Sequence, residues 1–153
     1  MSNDNTIMHD PDNILEVSHL KKYFPIKGGF FGGVTGNVKA VDDVSFSIKR
    51  GTTMGLVGES GCGKSTTGRT ILRLIEKTEG TILFNGEDVS DVDKKKLREL
   101  RTKMQIIFQD PYSSLNPRMT VSEIIAEPMR VNGMYQDKTA LQKRVSELMD
   151  TVG

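Results

Sequence analysis

Hydrophobic and polar positions alternate most clearly near residue 45, where Val44, Phe46 and Ile48 are interleaved with Ser45, Ser47 and Lys49. A period of two predicts a half-buried strand over residues 38–49. Upstream, Leu15, Val17 and Leu20 sit among polar residues and lead into Tyr23, Phe24 and Pro25, a strand over 14–26 with imperfect alternation. Residues 27–37 between them hold five glycines and two adjacent phenylalanines, the composition of a flexible loop or a hairpin. Residues 52–57 (TTMGLV) and 104–108 (MQIIF) are short apolar runs and predict buried strands. Residues 63–75 place Ile71, Leu72 and Ile75 on one face of a helix, and Gly80 ends that region. Residues 81–84 (TILF) followed by Asn85-Gly86 read as a strand and a tight turn.

The second half is helical in pattern. Ser90 with Asp93 three residues on predicts a capping-box variant ahead of a basic helix reaching about Lys103. Its lysines and arginines read as a solvated face, because Leu97 and Leu100 supply a buried stripe opposite. Thr120 and Glu123 form a capping box before Val121, Ile124 and Ile125, with Pro128 marking an end or a kink. Residues 137–152 space Leu141, Val145, Leu148 and Met149 as one helical face. Residues 1–13 are polar and read as a loose, disordered tail, leaving 14–153 as the folded part.

Composition narrows the function classes. Lys plus Arg is 21 and Asp plus Glu is 20, a net charge of +1 that argues against a coat for nucleic acid. No run approaches the ~18 apolar residues of a membrane-spanning helix, and the acidic start lacks the pattern of a secretory signal. One cysteine, Cys62, cannot form an internal disulfide, and with His9 and His19 far apart it leaves little scope for zinc. Both histidines read as surface residues.

The decisive segment is Gly58-Glu59-Ser60-Gly61-Cys62-Gly63-Lys64-Ser65-Thr66, a full G-x-x-x-x-G-K-[ST] match between a predicted strand and a predicted helix. Glycines at 58, 61 and 63 let backbone N–H groups turn inward around phosphate oxygens. The helix start adds its dipole and unpaired N–H groups. Lys64 is placed to reach β- and γ-phosphates, the Ser65 hydroxyl to meet Mg²⁺, and Thr66 to bond the α-phosphate. Cys62 falls at a variable position of the loop and reads as a bystander rather than a thiolate nucleophile.

A second segment joins the first. Residues 106–117 read Ile-Ile-Phe-Gln-Asp-Pro-Tyr-Ser-Ser-Leu-Asn-Pro, with Gln109 directly after the apolar run. Together with GLVGESGCGKSTTGRTILRL and with KKYFPIKGG before VKAVDDVSF, it resembles the ATP-binding subunits of ABC transporters, in the form typical of oligopeptide and dipeptide importers. The resemblance covers residues 14–153. It implies an α/β fold, the P-loop NTPase of ABC-ATPase type, here incomplete: an antiparallel β subdomain, the start of the P-loop core, and part of a helical subdomain from about residue 111.

The resemblance also implies roles. Phe24, with Tyr23 beside it, takes the position of the aromatic that stacks on adenine, and Ala40 lines the adenine edge. Gln109 takes the position that reaches Mg²⁺ and the attacking water. The implied cofactors are ATP and Mg²⁺. The implied partners are transmembrane permease subunits and a second ATP-binding subunit, in a homo- or heterodimer at the cytoplasmic face of the membrane. The family's Leu-Ser-Gly-Gly-Gln signature, its Asp-Glu strand end and its switch histidine do not occur. The chain therefore resembles the N-terminal half of such a subunit and is expected not to hydrolyse ATP alone. A non-catalytic nucleotide-binding module and a small P-loop nucleotide kinase are the competing readings.

Overall fold

The computed structural model describes residues 9–28 and 33–153. The chain divides into two compact units, Met1–Glu99 and Leu100–Gly153. The first is built on an antiparallel sheet of β1 (Asn13–Gly28), β2 (Gly33–Lys49), β3 (Glu79–Phe84) and β4 (Glu87–Asp88), in the order β2-β1-β3-β4. Helix α1 (Lys64–Ile71) and the start of α2 (Lys94–Arg101) complete it.

The imperfect alternation of β1 has a structural cause. Its pairing with β2 shifts register between Val17 and Leu20 and again between Leu20 and Lys22. His19 and Asp43 take positive φ values of 50° and 57° at this irregularity. The His19 Nδ1 lies 2.7 Å from the Asp43 carboxylate, and the His19 N–H donates to the Ser45 hydroxyl at 2.8 Å. The bulges keep Val17 and Leu20 both buried, although they lie three positions apart. Ile82 of β3 and Val41 of β2 bury beside them as part of the same core. Gly80, expected to end a helical region, lies instead within β3 at φ 98°, where an added Cβ would stand 2.5 Å from the His19 carbonyl oxygen.

The glycine-rich stretch continues the hairpin: Gly28 pairs with Gly33, while residues 29–32 lie outside the described residues. The expected tail lies outside them through residue 8, but residues 9–13 are not loose. His9 Nδ1 sits 2.5 Å from the Glu16 carboxylate, and Asn13 is buried as the first residue of β1. Asn85 and Gly86 take φ values of 53° and 78°, forming the predicted tight turn between β3 and β4.

Three expectations are corrected. Residues 52–57 and 104–108 form no strand and pair with no strand among the described residues. An apolar run becomes a strand only when a neighbour takes up its N–H and C=O groups, and here Val57 is 89% and Ile107 92% exposed. Helix α1 ends at Ile71 rather than Ile75. The Leu74 N–H donates to the Arg69 carbonyl and the Arg73 N–H to that of Thr70, with Arg73 at φ 54°. That is a Schellman stop with arginine where glycine is usual. Ser90 does not cap α2: its buried hydroxyl accepts from the Ile82 N–H at 2.7 Å, and Asp93 accepts from Lys96 instead.

The second unit holds a 3₁₀ turn (Tyr112–Ser114), α3 (Val121–Val131) and α4 (Lys138–Val152). The Thr120–Glu123 capping box forms as predicted, and hydrogen bonds from Thr120 hold the Glu123 carboxyl below its ordinary pKa. Pro128 does not end α3, which runs on to Val131. Ala126, Leu141 and Val145 pack together with Ile125, Met129 and Tyr135 around them.

Ile82 is fully buried, so Ile82→Ala is expected to lower unfolding stability by about 2–5 kcal/mol, read from the urea midpoint of the whole chain.

Candidate functional site: a glycine-walled phosphate loop

The loop of residues 58–66 is shaped by close backbone approaches. Gly63 caps α1 in the left-handed region at φ 95°, and a Cβ there would lie 2.1 Å from the Ala40 carbonyl oxygen of β2. No side chain fits that gap. Gly58 faces the Cys62 sulfur, which would lie 2.7 Å from an added Cβ. Gly61 has φ 86° with open space around it, so its glycine answers to the backbone turn alone.

The first bond of α1 runs from the Thr67 N–H to the Gly63 carbonyl at 2.8 Å. The N–H groups of Lys64, Ser65 and Thr66 precede it and have no carbonyl partner within the helix. They gather at the positive end of the helix dipole. The Lys64 ammonium spans the loop, donating to the carbonyls of Gly58 at 2.8 Å and Glu59 at 2.6 Å, with the Cys62 sulfur at 3.5 Å. Three N–H groups without helical partners, a cation and a wall where only glycine fits make a cradle suited to phosphate oxygens. The donor set therefore fits a nucleotide polyphosphate.

Of the other predicted residues, Ala40 is brought against Gly63. Tyr23 and Phe24 lie on β1 opposite Lys39 and Val38. The Tyr23 hydroxyl donates to Asp42 in a short hydrogen bond, and the Lys39 ammonium lies over its ring at 5.3 Å while pairing with Asp42 at 3.1 Å. The hydrogen bond to Asp42 raises the Tyr23 pKa, and the same bond, with that from Lys39, lowers that of Asp42. Phe24 is 39% exposed. Of the two aromatics, Tyr23 is committed to a local network and Phe24 offers its ring. Gln109 is exposed and belongs to the second unit. The following Asp110 orders its loop by accepting from the Ser113 N–H at 3.2 Å.

Two contributors escaped the sequence reading. Thr67, buried in α1, donates its hydroxyl to the Gly63 carbonyl at 3.0 Å and so fastens the base of the loop. Asp42 ties Tyr23 to Lys39. A threonine four residues after the cap glycine is the pattern that would have pointed to the first; Asp42 emerges only from cross-strand pairing.

The family described as ABC transporter matches this chain over residues 41–153. The chain is 53% identical over 143 residues to the oligopeptide transport ATP-binding protein AppF of Bacillus subtilis (strain 168), covering 93% of this chain and 43% of that protein. It is 54% identical to OppF of the same organism, covering 93% of this chain and 45% of that protein. Among solved structures, it is similar to the ATP-binding cassette MJ0796 in its dimeric post-hydrolysis state bound to ADP and Pi. That match has a TM-score of 0.69 at 25% identity and covers 87% of this chain and 54% of that chain. The chain thus spans less than half the length of the two transport proteins.

Gly63→Ala is expected to displace β2 from α1 and to abolish binding of polyphosphate, whereas Gly61→Ala should weaken it less; calorimetric titration with tripolyphosphate measures both. The Tyr23–Asp42–Lys39 network carries a pH signature. Asp42 is depressed, so its contribution to stability is present above the ordinary aspartate range and is lost as pH falls through its lowered value. Tyr23 is raised, so its contribution is lost as pH climbs past the ordinary tyrosine value through the raised one. Denaturation midpoints of Asp42→Asn and the parent chain should differ near neutrality and converge in acid.

Proposed function

Because this chain belongs to the ABC transporter family, we propose that it forms the nucleotide-holding part of an ATP-binding subunit that energises peptide import. The observation that carries this reading is the loop itself: Lys64 spanning it and three N–H groups free of helical partners behind a wall that admits only glycine. Its kinship with oligopeptide transport ATP-binding proteins supports the peptide cargo.

On this reading the N–H groups of residues 61–66 and the Lys64 ammonium hold the β- and γ-phosphates, with Gly58, Glu59, Ser60 and Cys62 forming the loop backbone. Thr66 bonds the α-phosphate. The Ser65 hydroxyl is the group of this loop that would hold Mg²⁺. Phe24 stacks on the adenine, and Ala40 lines its edge while holding the loop's shape through its carbonyl. MgATP, when bound, supplies the phosphoanhydride bond whose cleavage drives transport. What this chain's residues do is orient and neutralise the triphosphate, the positioning and electrostatic share of phosphoryl transfer.

The partners of this reading are transmembrane permease subunits and a second ATP-binding subunit, at the cytoplasmic face of a membrane. The second unit, with its α3–α4 pair, is the surface offered to the permease. No helix among the described residues is long and apolar enough to cross a membrane, as suits a subunit that attaches to others.

A second reading is a nucleotide-binding module without turnover, built on the same phosphate loop. The two readings meet in one experiment on the 153-residue chain. Lys64→Ala should remove most MgATP affinity, followed with a fluorescent analogue, because the cradle loses its cation; unchanged affinity would defeat both readings. Phosphate release by the parent chain should not exceed that of Lys64→Ala, and Lys64-dependent release would revive the small-enzyme alternative.

A further inference from the structure

Both aromatics at the proposed base position carry a lysine over the ring, yet the two lysines are held differently. Lys39, over Tyr23, is fixed by Asp42 at 3.1 Å. Lys22 lies 4.8 Å from the centroid of Phe24, and among the described residues no carboxylate pairs with its ammonium. Lys22 and Phe24 are two residues apart on β1, so their side chains leave the same face of the strand. The ring contact is the interaction that holds the Lys22 ammonium in place. A lysine head group keeps its hydration while its stem lies along apolar surface. Phe24 is itself exposed, so a base arriving from solution can reach the ring over which the ammonium lies.

We propose that Lys22 is a removable cap on Phe24, competing with the purine base for one ring face and so setting how much the base adds to nucleotide affinity. The inference rests on the reading that Phe24 stacks on adenine. A cation over an exposed ring and a base stacked on it are alternative occupants of the same area, and each draws on the same π-face. The ammonium's contact is weak enough to yield and strong enough to be felt. Tyr23 cannot take the role, because its hydroxyl and its lysine are both bound to Asp42.

The test separates the base from the phosphates. Affinities of the 153-residue chain for MgATP and for magnesium tripolyphosphate are measured by calorimetry, and their ratio reports the base alone. Removing a positive charge weakens magnesium tripolyphosphate, which carries one more negative charge than MgATP, somewhat more than MgATP, so the ratio is read at high salt, where that difference is screened. A lowered folded fraction scales both titrations alike. Lys22→Met is expected to raise the ratio about two- to five-fold, the fold-change that corresponds to an exposed cation–π contact. Lys22→Arg, which keeps a cation over the ring, should leave the ratio at or below the parent value. Phe24→Ala should lower it. A ratio unchanged or lowered in Lys22→Met, with Phe24→Ala still lowering it, overturns the cap and leaves stacking intact. A ratio unchanged in Phe24→Ala overturns the stacking reading, and the cap with it.

Discussion

The first unit depends on one close approach, the Ala40 carbonyl oxygen standing where a side chain on residue 63 would be. That contact joins a strand of the antiparallel sheet to the first turn of α1 with no side chain between them. It places the helix start, and the start places the N–H groups of Lys64, Ser65 and Thr66. Val41, the next residue of β2, is buried, so the carbonyl is anchored in the core rather than carried on a free edge. From the other side, Thr67 holds the Gly63 carbonyl through both its N–H and its hydroxyl. Sheet, loop and helix are one assembly because backbone meets backbone at a point where a methyl group would force them apart.

Much of this was legible in the residues. The glycine spacing, the lysine and the following hydroxyls name the loop, and Ser45, Ser47 and Lys49 between apolar neighbours name the outer part of β2. The Thr120–Glu123 box and the helix after Asp137 read directly, since capping is a local matter of a few residues. What could not be read depends on partners remote in sequence. Residues 52–57 and 104–108 have the composition of inner strands, but a strand is defined by its neighbour, and the described residues provide none. Ser90 looks like a cap by spacing, yet its hydroxyl serves the Ile82 N–H eight residues back. Arg73 stops α1 with no glycine to announce it. The roles given to Phe24 and Gln109 came from family resemblance, and no pattern within the chain supplies them.

The hairpin of β1 and β2 shows how irregularity is put to use. Its paired bulge at His19 and Asp43 lets one long strand serve the core with Val17 and Leu20 and then, past the register shifts, hold Tyr23 and Phe24 at the far arm. A strictly alternating strand would turn one of that first pair outward. The Asp42 network stiffens the same arm beyond the bulge.

The bonds made by Lys64 have a consequence for ligand choice. Two of the three ammonium protons already rest on the Gly58 and Glu59 carbonyls, so an incoming anion enters an exchange rather than filling an unmet need. A single-centred ion such as chloride replaces at most one such contact and gains little. A polyphosphate offers several oxygens along a line, enough to take over the lysine and to occupy the helix-start N–H groups at once. On the proposed nucleotide-binding reading, the loop's own self-solvation thus favours polyphosphate over single-centred anions.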